Sequence, residues 1–375
     1  MIRFIITLPL SVVALILVLP VLAVFVPLWI FNFMVTRVHL FLSRRGIEAE
    51  AILEFAPELG WKPRANLDAA YTDRVGDPCT VRTDGDGWPG RWSIEESDVI
   101  VFGDSFAFGY GSTINNAYYT NARECRIKPV GAQGYSMVPE VLLMERYAFR
   151  LKGKVLVWFI CMENDLAQNL DAYMGELGYT TPFLRREPEQ GEWEILSEHV
   201  QSDKWRYGEA DGKLEMRFAH ICTPCEYSAR VFSAAEYLIR RAKVTCDAVG
   251  ANLVVFSIPY KFQLSKPGVN RLKGHLRKEG KKESFDPGYP DKRIAEICDD
   301  SGVSFIRGTS HLTLEDYKIR DGHWNARGNK KMARVIECIW EENPCGKESL
   351  AAEEAAIKTN ASVEKVQDVR SVHIA

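Results

Sequence analysis

The stretch Val99-Ile100-Val101-Phe102-Gly103-Asp104-Ser105-Phe106-Ala107-Phe108-Gly109 decides how the rest of the chain is read. A short, continuous apolar run that breaks into Gly-Asp-Ser describes a strand covered on both faces and closed by a tight turn. A serine at such a strand-to-helix turn has an exposed hydroxyl. Its own N–H points the same way, where developing negative charge is favoured. A Gly-Asp-Ser turn can also close a strand with no chemistry attached, so its meaning depends on its surroundings.

The same kind of run recurs at Val155–Ile160, Leu253–Ile258 and Val303–Ile306, and more weakly at Arg126–Val130. Helical patterns lie between these runs, at Pro139–Arg150, Tyr227–Val249 and Ile294–Asp300, and a last one runs from Asn325 to Glu342. Alternating strands and helices predict an α/β domain built on a parallel sheet. Ligands of such sheets bind beyond the carboxyl ends of the strands. Three further segments fall there. Asp321-Gly322-His323-Trp324-Asn325 offers a base for a serine hydroxyl and a carboxylate to orient it, although the same residues suit an Asp-Gly turn with Asn325 as helix N-cap. Val130-Gly131-Ala132-Gln133-Gly134-Tyr135-Ser136 lets backbone approach a ligand closely, or is a plain flexible turn. Cys161-Met162-Glu163-Asn164-Asp165 places a side-chain amide after a strand, as an oxyanion donor or an ordinary helix cap.

In this order, the four segments resemble the SGNH/GDSL hydrolase superfamily over residues 98–342, with LVVFSIP and HWNARGN extending the likeness. The resemblance implies a flavodoxin-like three-layer sandwich around a five-stranded parallel sheet. It implies Ser105 as nucleophile, His323 as base and Asp321 as the group orienting His323. The implied oxyanion hole is the N–H of Ser105, the N–H of Gly134 (with Gly131 as the alternative) and the side chain of Asn164. No cofactor and no metal are expected. The chain departs from the family at Met162, where glycine is usual, and at Gly322, which stands alone between Asp321 and His323 where two residues are common. The shorter spacing is similar to that of SGNH-like domains acting on O-acetyl groups of bacterial polysaccharides.

The chain has 375 residues and a net charge of −3, with 47 basic and 50 acidic side chains. No global basic excess points to nucleic acid. Nine cysteines in so long a chain do not make a small disulfide scaffold. Residues 4–35 contain no charge, and at about 1.5 Å per residue they exceed a hydrocarbon core of roughly 30 Å. They are longer than the apolar region of a cleaved signal, so residues 1–36 are expected to be an uncleaved transmembrane anchor. Pro9, Pro20 and Pro27 are its candidate kinks, and a re-entrant hairpin bent at Pro20 is the minor alternative. Residues 37–97 follow as a juxtamembrane helix (36–60) and an irregular Gly-, Pro- and Asp-rich lead-in. Residues 98–345 form the hydrolase-like domain, with an insertion at 171–220, and residues 346–375 a flexible tail.

Arg37, Arg44 and Arg45 against Arg3 favour a cytoplasmic C-terminal side. The anchor and the resemblance favour the opposite side. The expectation is a single-pass membrane protein with its catalytic domain outside the cytoplasm. The expected function is that of a serine-dependent ester hydrolase or O-acyltransferase, acting through an acyl-serine on an acylated glycan or lipid. The rival is a catalytically silent scaffold of an envelope polysaccharide assembly. Residues 261–293 carry ten basic and four acidic side chains, a solvated face or a lure for an anionic carrier. Cys222 and Cys225 form a lone CxxC, read as two thiols or a local disulfide rather than a metal site.

Overall fold

A computed structural model describes residues 27, 52–170, 180–186, 191–197, 210–277 and 284–343. The expected anchor at 4–35 apart from Pro27, the tail from 346 and much of the insertion lie outside them. Among the described residues, no helix is long and apolar enough to cross a membrane.

The strands in chain order are β1 (Leu53–Ala56), β2 (Gly60–Pro63), β3 (Asp68–Thr72), β4 (Pro78–Arg82), β5 (Val99–Gly103), β6 (Ile127–Gly131), β7 (Val155–Cys161), β8 (Phe183–Arg186), β9 (Trp193–Leu196), β10 (Asn252–Ile258) and β11 (Ser304–Arg307). The helices are α1 (Ser105–Phe108), α2 (Tyr118–Asn121), α3 (Met137–Arg146), α4 (Asp165–Gln168), α5 (Ala210–Ile221), α6 (Glu226–Ala248), α7 (Lys266–His275), α8 (Tyr289–Asp300) and α9 (Ala326–Glu342).

The apolar runs form a five-stranded sheet in the order β11-β10-β7-β5-β6. Every neighbouring pair is parallel. Successive side chains alternate between two cores. Ile100, Phe102, Leu156, Trp158 and Val255 face one side, packed with Val141 of α3, Leu238 of α6 and Ile294 of α8. Val101, Val157, Phe159 and Phe256 face the other, with Tyr118 of α2 and Ile336 of α9. Helices thus cover both faces, giving three layers. The first strand, β5, lies between the second and third, so the chain reverses direction across it. That opens a crevice at the carboxyl ends of β5 and β7, the usual ligand site of a doubly wound sheet.

The segment 36–97 departs from expectation where it is described. From Leu53 onward, the anticipated helix is replaced by the antiparallel hairpin β1–β2, and the lead-in is ordered by a second hairpin, β3–β4. Pro57 and Pro63 disfavour a continuous helix here. Gly60 adopts φ +90, and a Cβ on it would meet the Thr180 carbonyl oxygen at 2.3 Å. The lead-in packs on the edge strand β6. Trp61 donates its indole N–H to Gln133 O at 2.8 Å. Lys128, fully buried, donates to the carbonyls of Trp88 (3.0 Å) and Pro89 (3.1 Å). In the range read as an insertion, β8–β9 is a third antiparallel hairpin, and α5 begins at Ala210.

Candidate active site

Gly103 pairs with Gly131 at the ends of β5 and β6. A Cβ on Gly131 would lie 1.9 Å from the Gly103 carbonyl oxygen, so only glycine permits this approach. Asp104 then caps the single turn α1, its Oδ1 accepting the Phe106 N–H at 2.9 Å. The turn ends at Gly109 in the left-handed conformation. This geometry projects Ser105, 9% exposed, from the top of the sheet. A helix of four residues sums few peptide dipoles, so the local N–H groups matter here more than a macrodipole.

His323 reaches the same point from the loop ahead of α9. Its Nε2 lies 2.7 Å from Ser105 Oγ. Its Nδ1 lies 2.6 Å from Asp321 Oδ1, which also accepts the His323 backbone N–H at 3.1 Å. A carboxylate can only accept, so Nδ1 carries the proton and Nε2 is free to accept from the serine. Burial pushes the Asp321 carboxyl up, but the charge and hydrogen bonds of His323 outweigh this and hold it below the ordinary range. The imidazole sits between the Phe106 and Tyr110 rings, with centroids at 5.0 and 4.9 Å. Asn325 caps α9 as well, accepting from Arg327 N and Gly328 N. The cap and the His323–Asp321 pair coexist in one loop.

Asn164 follows β7 across the crevice. Its Nδ2 lies 3.4 Å from Asp104 Oδ2, which is also 3.4 Å from Ser105 Oγ. The same Nδ2 donates to Asp165 Oδ1 at 2.9 Å. Gly134, at φ +77, sits in the turn beyond β6. Among the described residues, nothing accepts the N–H of Ser105 or of Gly134. The structure therefore joins Ser105, His323 and Asp321 directly and links Asn164 through Asp104, and among the described residues no hydrogen bond ties Gly134 to them.

Several residues at the site were not singled out from sequence. Lys261 donates to the carbonyls of Ile319 (2.9 Å) and Asp321 (3.0 Å), and also to that of Lys318, bracing the loop that carries Asp321 and His323. Glu163, half-buried, stands beside that loop. Burial, then the charges of Asp104, Asp321 and Glu215, push its carboxyl up to about 8. Burial likewise raises Asp104 and Asp165. The basic strip at 261–293 spends cations internally: Lys261 as above, Arg271 on Glu215 and Lys292 on Asp286. Cys222 and Cys225 are both free thiols. Among the described residues, no cluster of His, Cys, Asp and Glu could hold a metal ion.

No family model and no curated protein matches the chain. Among solved structures, the chain is similar to a carbohydrate acetylesterase family member from Sinorhizobium meliloti, at 10% identity and a TM-score of 0.34, over 64% of this chain and 95% of that one. It is similar to an inhibitor-bound aryl esterase of M. smegmatis, at 8% identity and 0.36, over 65% and 98%. It is also similar to Est24, a carbohydrate acetylesterase from Sinorhizobium meliloti, at 10% identity and 0.34, over 68% and 98%.

Proposed function

We propose that this chain is a serine-dependent esterase of the SGNH type. The observation that carries the reading is the continuous chain Ser105 Oγ, His323 Nε2, His323 Nδ1, Asp321 Oδ1, with links of 2.7 and 2.6 Å. In the proposed reaction, His323 Nε2 takes the serine proton as Oγ attacks an ester carbonyl. The imidazolium that forms is stabilised by Asp321. The tetrahedral oxyanion is received by the N–H groups of Ser105 and Gly134 and by Asn164 Nδ2, which exchanges its long contacts to Asp104 and Gln168 for one to substrate. The imidazolium then returns its proton to the departing alcohol. Water resolves the acyl-serine to the free acid, or a second alcohol accepts the acyl group.

Ser105→Ala is expected to lower kcat on p-nitrophenyl acetate by at least about 10³-fold while far-UV circular dichroism stays unchanged. Equal rates for the variant and the wild type would remove Ser105 from the mechanism. A fluorophosphonate probe separates the enzyme from a silent scaffold: labelling of Ser105 that is lost in His323→Ala supports the enzyme.

The acylated glycan or lipid substrate and the extracytoplasmic placement belong to the same proposal. Its support is the uncharged run 4–35 as a membrane anchor. Alkaline phosphatase fused to the C-terminus, which is active only outside the cytoplasm, is expected to be active; an inactive fusion that is expressed reverses the orientation.

A further inference from the structure

Asp321 spends one oxygen twice. Oδ1 accepts both the Nδ1–H and the backbone N–H of His323. Oδ2 is buried and has no hydrogen-bond partner among the described residues, on a side chain only 9% exposed. A buried carboxylate oxygen without a donor is costly, so such an atom calls for a partner.

One acidic side chain lies beside the residue that joins Asp321 to His323. Glu163 leaves the end of β7 and lays Oε2 against Gly322, 3.6 Å from where a Cβ on that residue would sit. Gly322 joins Asp321 to His323, and its missing side chain leaves this face open to Glu163. We infer that Glu163 is a positioning residue: held as a carboxylic acid, it donates its O–H to Oδ2 of Asp321 and fixes the far end of the Ser105–His323–Asp321 chain. This rests on the esterase reading above.

The groups around Glu163 favour the acid form. Asp104 faces it from the turn after β5, Asp321 from the loop before α9, and Glu215 from α5. Arg74, from the β3–β4 turn, opposes these carboxylates. Tyr260, Lys261 and Tyr317 are also near, with Cys161 and Asp165 on its own segment. Lys261 is already committed to backbone carbonyls of the catalytic loop. Burial and three nearby carboxyls therefore outweigh one arginine, and the proton is retained to about pH 8. Above that, Glu163 ionises, the donor disappears, and a second carboxylate confronts Asp321.

The test is the pH profile of kcat on p-nitrophenyl acetate, with Ser105→Ala as the blank. The wild type is expected to lose activity several-fold as pH rises from about 7.5 to about 9.5. Glu163→Gln keeps a donor that cannot titrate. It is expected to retain most of the kcat at the lower pH and to lose the alkaline fall. Glu163→Leu fills similar volume but cannot donate, and is expected to lose about tenfold in kcat with little change in KM. An alkaline fall that persists unaltered in Glu163→Gln overturns the inference, as does a Glu163→Leu variant equal to wild type. A wild type no faster than Ser105→Ala overturns the esterase reading, and the inference with it.

Discussion

Asn164 holds its amide near Ser105, across Asp104, without aiming it there. Nδ2 is shared among Asp165 Oδ1, Gln168 Oε1 and Asp104 Oδ2, at 2.9, 3.3 and 3.4 Å. The two longer contacts are weak, so redirecting one N–H toward an oxyanion costs little. The gain appears only when charge develops on the substrate oxygen. Asn164→Ala is therefore expected to lower kcat by about 10²–10³-fold, roughly 2.7–4 kcal/mol, with KM nearly unchanged. Steady-state kinetics on a small ester measures this, and a loss expressed in KM alone would place Asn164 in substrate binding instead. Ser105, His323, Asp321 and Asn164 were all legible in the sequence, because each follows a strand or a Gly/Asp turn that announces its position. Glu163 was not. It is one unremarked letter in the asparagine segment, and its neighbour Gly322 lies far along the chain; only the fold brings Oε2 to that glycine.

The loop that carries Asp321 and His323 is built as a braced hairpin. Tyr317 and Trp324 bridge, Lys318 N donates to His323 O at 2.9 Å, and Tyr317 Oη donates to Pro259 O at 2.9 Å. The lead-in supplies the outer brace: Lys318 Nζ meets Asp73 Oδ2 at 2.5 Å and Asp77 Oδ2 at 3.1 Å. The Asp73 side chain has no exposure and that of Lys318 has 13%. Removing one partner of such a pair leaves a buried charge uncompensated. Lys318→Met is expected to destabilise the fold by about 3–5 kcal/mol, read by chemical denaturation. It should also lower kcat, because the base loses its brace. An unchanged midpoint would show that Asp73 is solvated through another route. The parallel strands were legible from their continuous apolar runs, within a residue or two at each end. The hairpins β1–β2 and β3–β4 were not. They are four or five residues long, mix charged with small side chains, and carry no period that survives their length. Their strands are set by pairing and by tertiary packing, β1–β2 through Trp61 on Gln133 and Tyr135, and β3–β4 through Tyr71, Cys79 and Val81 with Phe108 and Tyr110, rather than by local preference.

The whole molecule concentrates buried acid behind the crevice at the carboxyl ends of β5 and β7. Asp104, Glu140 and Asp165 lie beneath the ends of β5 and β7, each raised by burial. Each accepts a hydrogen bond from the fold: Asp104 from Phe106 N–H, Glu140 from the Trp158 indole at 2.6 Å, and Asp165 from Cys161 N–H at 2.6 Å. Those bonds favour the charged form but do not overcome desolvation. The linkage sign follows. Above the unfolded carboxylate range near pH ~4, the native state holds protons that the unfolded chain has released, so stability falls as pH rises toward the folded pKa. This runs opposite to the usual salt-bridged carboxylate, whose contribution is lost on acidification. Glu140→Gln keeps an acceptor for Trp158 and removes one of these protons from the balance. The full chain in detergent is expected to melt higher at pH ~6 than at pH ~8, and Glu140→Gln to raise the melting temperature at pH ~8 and shrink the difference between the two. Calorimetry at the two pH values checks both. A variant that melts lower than wild type at pH ~8 would mean that Glu140 is held ionised by Trp158, and that desolvation is not the dominant force in this part of the fold.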